Sequence, residues 1–265
     1  MLRRAGTPCV VENHVEGRDY EFIHDPDLER VRGNGAYSEW HEPPRIRTRL
    51  PDGTELRVSW YHPVFFFGGN TTCCPSDPGT FALLREEAAR LRELWGASGH
   101  LLMHNEIRCL GWDASCAAQG KTAGGILAAH LRRCRSLLAG TQVYAWSDMF
   151  DPFHNAQKTG SYYLVKGEGA WSGSWEGLDP NVIIVNWHGH QPGRLDSLQF
   201  FAGRGHRQVL AGYYDGPVER IKDWLADAAK VKGVIGVMYT TWKNDYANLE
   251  KFAAEVDRSV QPAGR

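Results

Sequence analysis

The 265 residues carry 30 Lys+Arg against 31 Asp+Glu, a formal net charge of −1, which argues against a strong electrostatic hold on nucleic acid or an anionic membrane. With 42% apolar residues and a mean hydropathy of −0.43 the chain is neither disordered nor fibrous in composition. No apolar run of about 18 residues is present, so no membrane-spanning helix is expected, and the start, Met1-Leu2-Arg3-Arg4, has no apolar stretch behind it and does not read as a signal peptide.

In chain order, residues 9–12 (CVVE) and 56–61 (LRVSWY) read as two strands. Between them, 13–55 is a polar, Pro- and Gly-rich insertion with a turn at Leu50-Pro51-Asp52-Gly53, of the kind that walls a substrate site. A helix is predicted over 78–96, opening at Asp77-Pro78 with Phe81, Leu84, Ala88, Leu91 and Leu94 at helical spacing. From there short apolar runs at 100–104, 142–146, 182–187, 208–213 and 234–239 alternate with helical segments near 121–138, 194–204, 217–230 and 245–258. Continuous apolar strands alternating with helices mean parallel strands covered on both faces. The predicted fold class is therefore α/β, a (β/α)8 TIM-barrel type, at a length near the roughly 250 residues usual for one barrel. The whole chain, 1–265, reads as a single barrel domain with 13–55 inserted in it. Seven strands are counted: either one is uncounted or the first βα unit is lacking, and the start close to a strand favours the second. An incomplete barrel would expose strand edges that a partner chain could cover, with the oligomeric state left open.

Chemistry in such folds gathers at the C-terminal ends of strands. Here those ends read Glu12-Asn13-His14, Trp60-Tyr61-His62, His104-Asn105-Glu106, Trp146-Ser147-Asp148, Asn186-Trp187, Tyr213-Tyr214-Asp215 and Tyr239-Thr240-Thr241-Trp242. Aromatic faces stack on the C–H faces of sugar rings while carboxylates and amides bond the hydroxyls, so the pattern suits a carbohydrate. No GxGxxG, Walker loop or GxSxG elbow competes, and no cofactor is implied.

His104-Asn105-Glu106, Trp146, Trp187, Tyr213-Tyr214-Asp215 and Trp242, in that order over about residues 98–250, resemble the catalytic barrel of the family 20 glycoside hydrolases, the β-N-acetylhexosaminidases, in a divergent branch. The resemblance implies that Glu106 protonates the departing glycosidic oxygen while position 105 orients the substrate's own 2-acetamido group, which attacks the anomeric carbon in place of an enzyme nucleophile. The family has Asp at that position and this chain has Asn105. An amide accepts a hydrogen bond from the acetamide but supplies no charge for a developing oxazolinium, and such a partner is worth a few kcal/mol. Three readings follow: a weak or inactive enzyme, an engineered substitution, or a mechanism in which Asp148 or Asp215 is the second carboxylate.

The expected site thus comprises Glu106, Asn105 and Asp148 as catalytic groups, with His104, Trp146, Trp187, Tyr213, Tyr214, Asp215, Trp242 and, from the insertion, Arg18 as carbohydrate-binding residues. The reading leans towards an enzyme, with a catalytically silent carbohydrate-binding barrel as the alternative and metal-dependent hydrolysis by His14, His62 and His104 as a third. The blander reading of Glu106 is an ion pair with Arg108 or Arg18; that of Asp148 is a helix cap or salt bridge. His154 and Asn155 are assigned equally to substrate contact and to loop ordering. Cys109, Cys116 and Cys134, with His130 four residues before Cys134, are a weak zinc or redox pattern, and His188-Gly189-His190 a weak metal pair, so no metal is assigned. Asn70-Thr71-Thr72 fits a glycosylation sequon without bearing on function.

Overall fold

The computed structural model describes residues 10–22, 45–60, 73–157, 163–165, 169, 171–189 and 192–260. Tyr61, His62, Asn70-Thr71-Thr72, His190 and most of the insertion's middle, 23–44, lie outside the described residues. The chain divides into two compact units, Met1–Thr72 and Cys73–Arg265.

In the first unit, β1 (Val10–Val11) pairs antiparallel with β4 (Val58–Ser59), and β2 (Tyr20–Phe22) with β3 (Ile46–Thr48). This corrects the strand count, since the segments read at 9–12 and 56–61 pair with each other and add nothing to a parallel sheet. Their alternation explains it. Val10 is 47% exposed and Val11 1%, the signature of a half-buried antiparallel strand rather than one covered on both faces. The predicted turn is present: Thr54 donates its N–H to Pro51 O at 3.1 Å, and Gly53 takes φ 86°, a conformation a side chain would strain.

The second unit is mixed α/β with a five-stranded parallel sheet. Its elements are α1 (Pro78–Trp95), β5 (Gly99–Leu102), β6 (Cys109–Leu110), α2 (Ala114–Ala117), α3 (Ala123–Leu137), β7 (Gln142–Trp146), β8 (Leu164–Val165), β9 (Ile183–Asn186), α4 (Arg194–Gly203), β10 (Gln208–Tyr213), α5 (Ile221–Ala228), β11 (Val234–Thr240) and α6 (Leu249–Val260). The sheet order is β11-β10-β9-β7-β5, each strand beside its predecessor, and every pairing is parallel. β6 and β8 form a separate parallel pair. Among the described residues β5 and β11 do not meet, and no closed barrel is formed.

Local chemistry sets the helix ends. Asp77 caps α1 by accepting from Gly79 N at 2.7 Å, Pro78 occupies its first turn, and Gly96 closes it at φ 57°. Thr122 caps α3, accepting from Gly125 N at 3.1 Å. The buried face of α3 (Ile126, Leu127, Leu131) packs with Ala145, Met149, Phe150, Trp171 and Ile184 into one core, while Leu198, Leu210, Trp224 and Phe252 form a second. Burying each such large side chain contributes roughly 1.5–3 kcal/mol. Gly124 allows α3 its closest approach, because a Cβ there would stand 2.0 Å from the Ser172 carbonyl oxygen. No helix among the described residues is long and apolar enough to cross a membrane.

Candidate active site

β5 and β7 lie side by side, so the residues just beyond their C-terminal ends meet. Glu106 turns in the left-handed region, φ 49°, and its backbone N–H donates to Asp148 Oδ2 at 2.8 Å. Asp148 opens a short helical turn after β7, is wholly buried, and also accepts from Asn155 Nδ2 at 2.8 Å on the same oxygen. The Trp187 indole N–H also stabilises this carboxylate, although outside hydrogen-bond geometry: Asp148 Oδ1 and Trp187 Nε1 have no hydrogen-bonded partner among the described residues. Burial is the strongest influence on Asp148 and pushes its pKa up to about 6; the bonds from Glu106 N–H and Asn155 and the nearby Trp187 indole oppose it, and the Glu106 charge adds to it.

The Glu106 carboxylate is held 3.0 Å from Arg108, whose guanidinium lies 5.2 Å from the centre of the Tyr163 ring. Burial and, after it, the Asp148 charge raise the Tyr163 phenol well above its usual range. An aromatic row continues along the strand ends. Trp187, just past β9, stacks parallel on Tyr214 at 6.2 Å between centroids; Tyr214 meets Trp242 edge-on at 5.8 Å, and His154 meets Trp187 at 4.4 Å. The Tyr214 hydroxyl is raised first by burial, lowered by Trp242, and raised by the charges of Glu106 and Asp148, which places it in the field of both carboxylates.

The end of β10 makes that row. Tyr213, Tyr214 and Asp215 have φ of 69°, 58° and 55°, three consecutive non-glycine residues in the left-handed region. Such residues cost roughly 1–2 kcal/mol each and persist only where neighbours hold them. Tyr214 N–H donates to Thr240 O at 2.9 Å, and Asp215 accepts from Trp242 N at 2.6 Å and from the Thr241 hydroxyl. The turn splits the two tyrosines, sending Tyr213 into the core and Tyr214 to the row.

Of the residues expected at a site, the structure brings together Glu106, Asp148, Trp187, Tyr214 and Trp242. Asn105 is half-buried beside Glu106. Tyr213 is stacked on Tyr239 at 4.2 Å with its hydroxyl accepting from Asn248 Nδ2, so it is packed inside rather than lining a pocket. His104 likewise points inward, 3.0 Å from His130 Nδ1, and burial pushes its pKa down to about 3. Trp146 is half-buried and bonds Met103 Sδ at 3.3 Å. Asp215 bonds the Thr241-Trp242 turn after β11, and its pKa is lowered chiefly by the Thr241 hydroxyl. Arg18 belongs to the first unit and is paired with Asp19 at 2.7 Å, where His14 also lies, 3.9 Å from the same carboxylate. Tyr163 is absent from the sequence-based set; it lies in the stretch before β8, which has no periodic signal, and only the adjacent Tyr162-Tyr163 pair hinted at it.

Among the described residues three groups of side chains could hold a metal ion: His104, His130 and Cys134; Cys74, Asp113 and Cys116; and Asp151, His154 and His188. The cysteines thus divide differently from their spacing, with Cys116 3.6 Å from Cys74 and Cys134 beside His130.

No protein-family model matches the chain, and no curated protein matches it. Among solved structures it is similar to an inactive mutant of a family 20 exo-β-N-acetylglucosaminidase from Vibrio harveyi, at 16% identity and TM-score 0.45 over 67% of this chain and 29% of that one. It is also similar to a family 20 chitobiase from Flavobacterium johnsoniae, at 17% identity and TM-score 0.44 over 76% of this chain and 35% of that one. The chain spans about a third of the length of these proteins.

Proposed function

We propose that the second unit binds a carbohydrate at the ends of β5, β7, β9 and β10 and hydrolyses a glycosidic bond there, on a scaffold of the (β/α)8 type. The observation that carries this reading is the meeting of Glu106 and Asp148 beside the Trp187–Tyr214–Trp242 row. Aromatic faces of that kind take the apolar side of a sugar ring. Glu106, whose side chain is 36% exposed, is the group that reaches substrate and acts as general acid, then base. Asp148 is wholly covered and acts through Glu106: it fixes the backbone turn that aims the carboxyl group, and its protonation sets the local charge. Asn105 and the Tyr214 hydroxyl orient the sugar, with a 2-acetamido group as the internal nucleophile.

The test is initial-rate hydrolysis of aryl glycosides with and without a 2-acetamido group. Glu106→Gln should abolish turnover while leaving Tm unchanged, and Asn105→Asp should raise turnover of the 2-acetamido substrates. Full activity of Glu106→Gln removes the assignment. A silent carbohydrate-binding protein is the second reading, favoured by the Glu106–Arg108 ion pair together with Asn105. Sugar binding without turnover in both the native chain and Asn105→Asp would establish it.

A further inference from the structure

Asp151, His154 and His188 are buried together behind the aromatic row. Their exposures are 0%, 6% and 2%, and one possible ligand atom from each lies within 4.8 Å of the other two. A tight turn in which His154 N–H donates to Asp151 O at 3.0 Å sets the first two side by side after β7. His188 comes from the next strand, two residues past the end of β9, with its backbone N–H anchored on Asn186 Oδ1 at 3.0 Å.

The surroundings orient these groups in the manner of a metal site's supporting contacts. Ser197 Oγ donates to Asp151 Oδ2 at 2.6 Å and Phe153 N–H to Oδ1 at 2.8 Å, which fixes the carboxylate and leaves each oxygen a further lone pair. His188 Nε2 lies 3.0 Å from Pro192 O. A carbonyl can only accept, so Nε2 carries the proton and Nδ1 the lone pair, the tautomer that ligating histidines adopt when their other nitrogen is held by a backbone carbonyl. Among the described residues the bonds to Asp151 come from neutral donors, and a buried carboxylate with no cationic partner is costly.

We infer that Asp151, His154 and His188 form a binding site for a divalent transition metal of the zinc class. Two imidazoles and one carboxylate, without a thiolate, suit zinc or iron(II) rather than a soft monovalent ion. Ligand atoms around a tetrahedral zinc stand about 3.3 Å apart, so the three side chains close on the ion with small rotations. The bound ion would tie the 151–154 turn to the end of β9. Because the His154 ring lies 4.4 Å from that of Trp187, it would also fix one wall of the proposed sugar site. The inference does not depend on hydrolysis at that site.

The test uses the full chain, stripped with a chelator and titrated with zinc, with cobalt(II) as a spectroscopic probe. The expected result is one ion per chain, a zinc-dependent rise in Tm, and cobalt d–d bands without a thiolate charge-transfer band. Asp151→Asn and, separately, His154→Gln should weaken zinc binding at least tenfold and remove the Tm response, with far-ultraviolet circular dichroism reporting folding. Cys74→Ser with Cys116→Ser should bind as the native chain does. Binding lost in the cysteine variant, with a thiolate band in the native cobalt spectrum, would move the ion to the other cluster and overturn the inference. So would a native chain that takes up no zinc; the three residues would then be a hydrogen-bonded support alone.

Discussion

Two aspartates stand at corresponding places, Asp148 after β7 and Asp215 after β10, yet they are opposite in every physical respect. Asp148 is sealed from solvent, accepts one bond from Glu106, 42 positions away, and one from Asn155, seven positions on, and has its pKa pushed up to about 6 by burial. Asp215 is partly exposed, bonds the turn it faces across β11, and has its pKa lowered by the Thr241 hydroxyl. A strand-end acid is therefore not in itself a site. Burial beside a second carboxylate is what singles out Asp148 for the proposed role, while Asp215 staples a loop.

The largest effect should come from Asp148→Ala. It strands the Glu106 N–H and the Asn155 amide in a closed space, and buried polar groups without partners cost about 1–3 kcal/mol each. We expect a loss of about 3 kcal/mol by urea denaturation, together with loss of turnover because the Glu106 turn is released. A change under about 1 kcal/mol would show that these bonds are exchanged for water and that Asp148 is not sealed.

Next in size is the pH dependence. An unfolded aspartate titrates near about 3.9, and Asp148 in the folded chain at about 6. Between those values the folded state holds more protons, so the Asp148 contribution makes stability fall as pH rises through the window, and level off above it. The shift corresponds to roughly 2–3 kcal/mol. His104, lowered to about 3, acts in the opposite sense, because there the unfolded state holds more protons up to its normal value. The Asp148→Asn variant isolates the term: relative to the native chain it should gain stability steadily between about pH 4 and pH 6, while the His104 contribution cancels. A parallel pair of curves would mean that Asp148 is ionised throughout.

Much of the second unit was legible because its periodicity is undisturbed. The continuous apolar runs at β7, β9, β10 and β11 all form parallel strands, of which β9 and β10 are buried on both faces, and Asp77-Pro78 and Gly96 mark α1 by capping chemistry that is local in sequence. The first unit was misread because a two-residue strand such as β1 gives too short a pattern to distinguish parallel from antiparallel pairing, which is set by partners far along the chain. Of the residues the strand-end rule named, the structure gathers Glu106, Asp148, Trp187, Tyr214 and Trp242, and it packs Tyr213 and His104 inside. Which of two adjacent tyrosines joins the aromatic row is decided by backbone dihedrals near φ 60° at 213–215, and no residue-type preference announces those. Likewise the grouping of Cys74 with Cys116 depends on a contact spanning 42 positions.

The smallest effect, and the sharpest check on the comparison, concerns Asp215. Asp215→Ala removes the acceptor for Trp242 N–H and the Thr241 hydroxyl while keeping a Cβ in the left-handed region, φ 55°. The stability loss should be smaller than for Asp148→Ala, because the released donors reach water, and the profile between about pH 4 and pH 6 should keep its native shape. Asp215→Gly removes the same acceptor but relieves the backbone, so it should be the more stable of the two variants. If they prove equal, the left-handed backbone at 215 carries no strain for a glycine to relieve. If instead Asp215→Ala matches Asp148→Ala in cost, the distinction between the buried and the stapling aspartate fails.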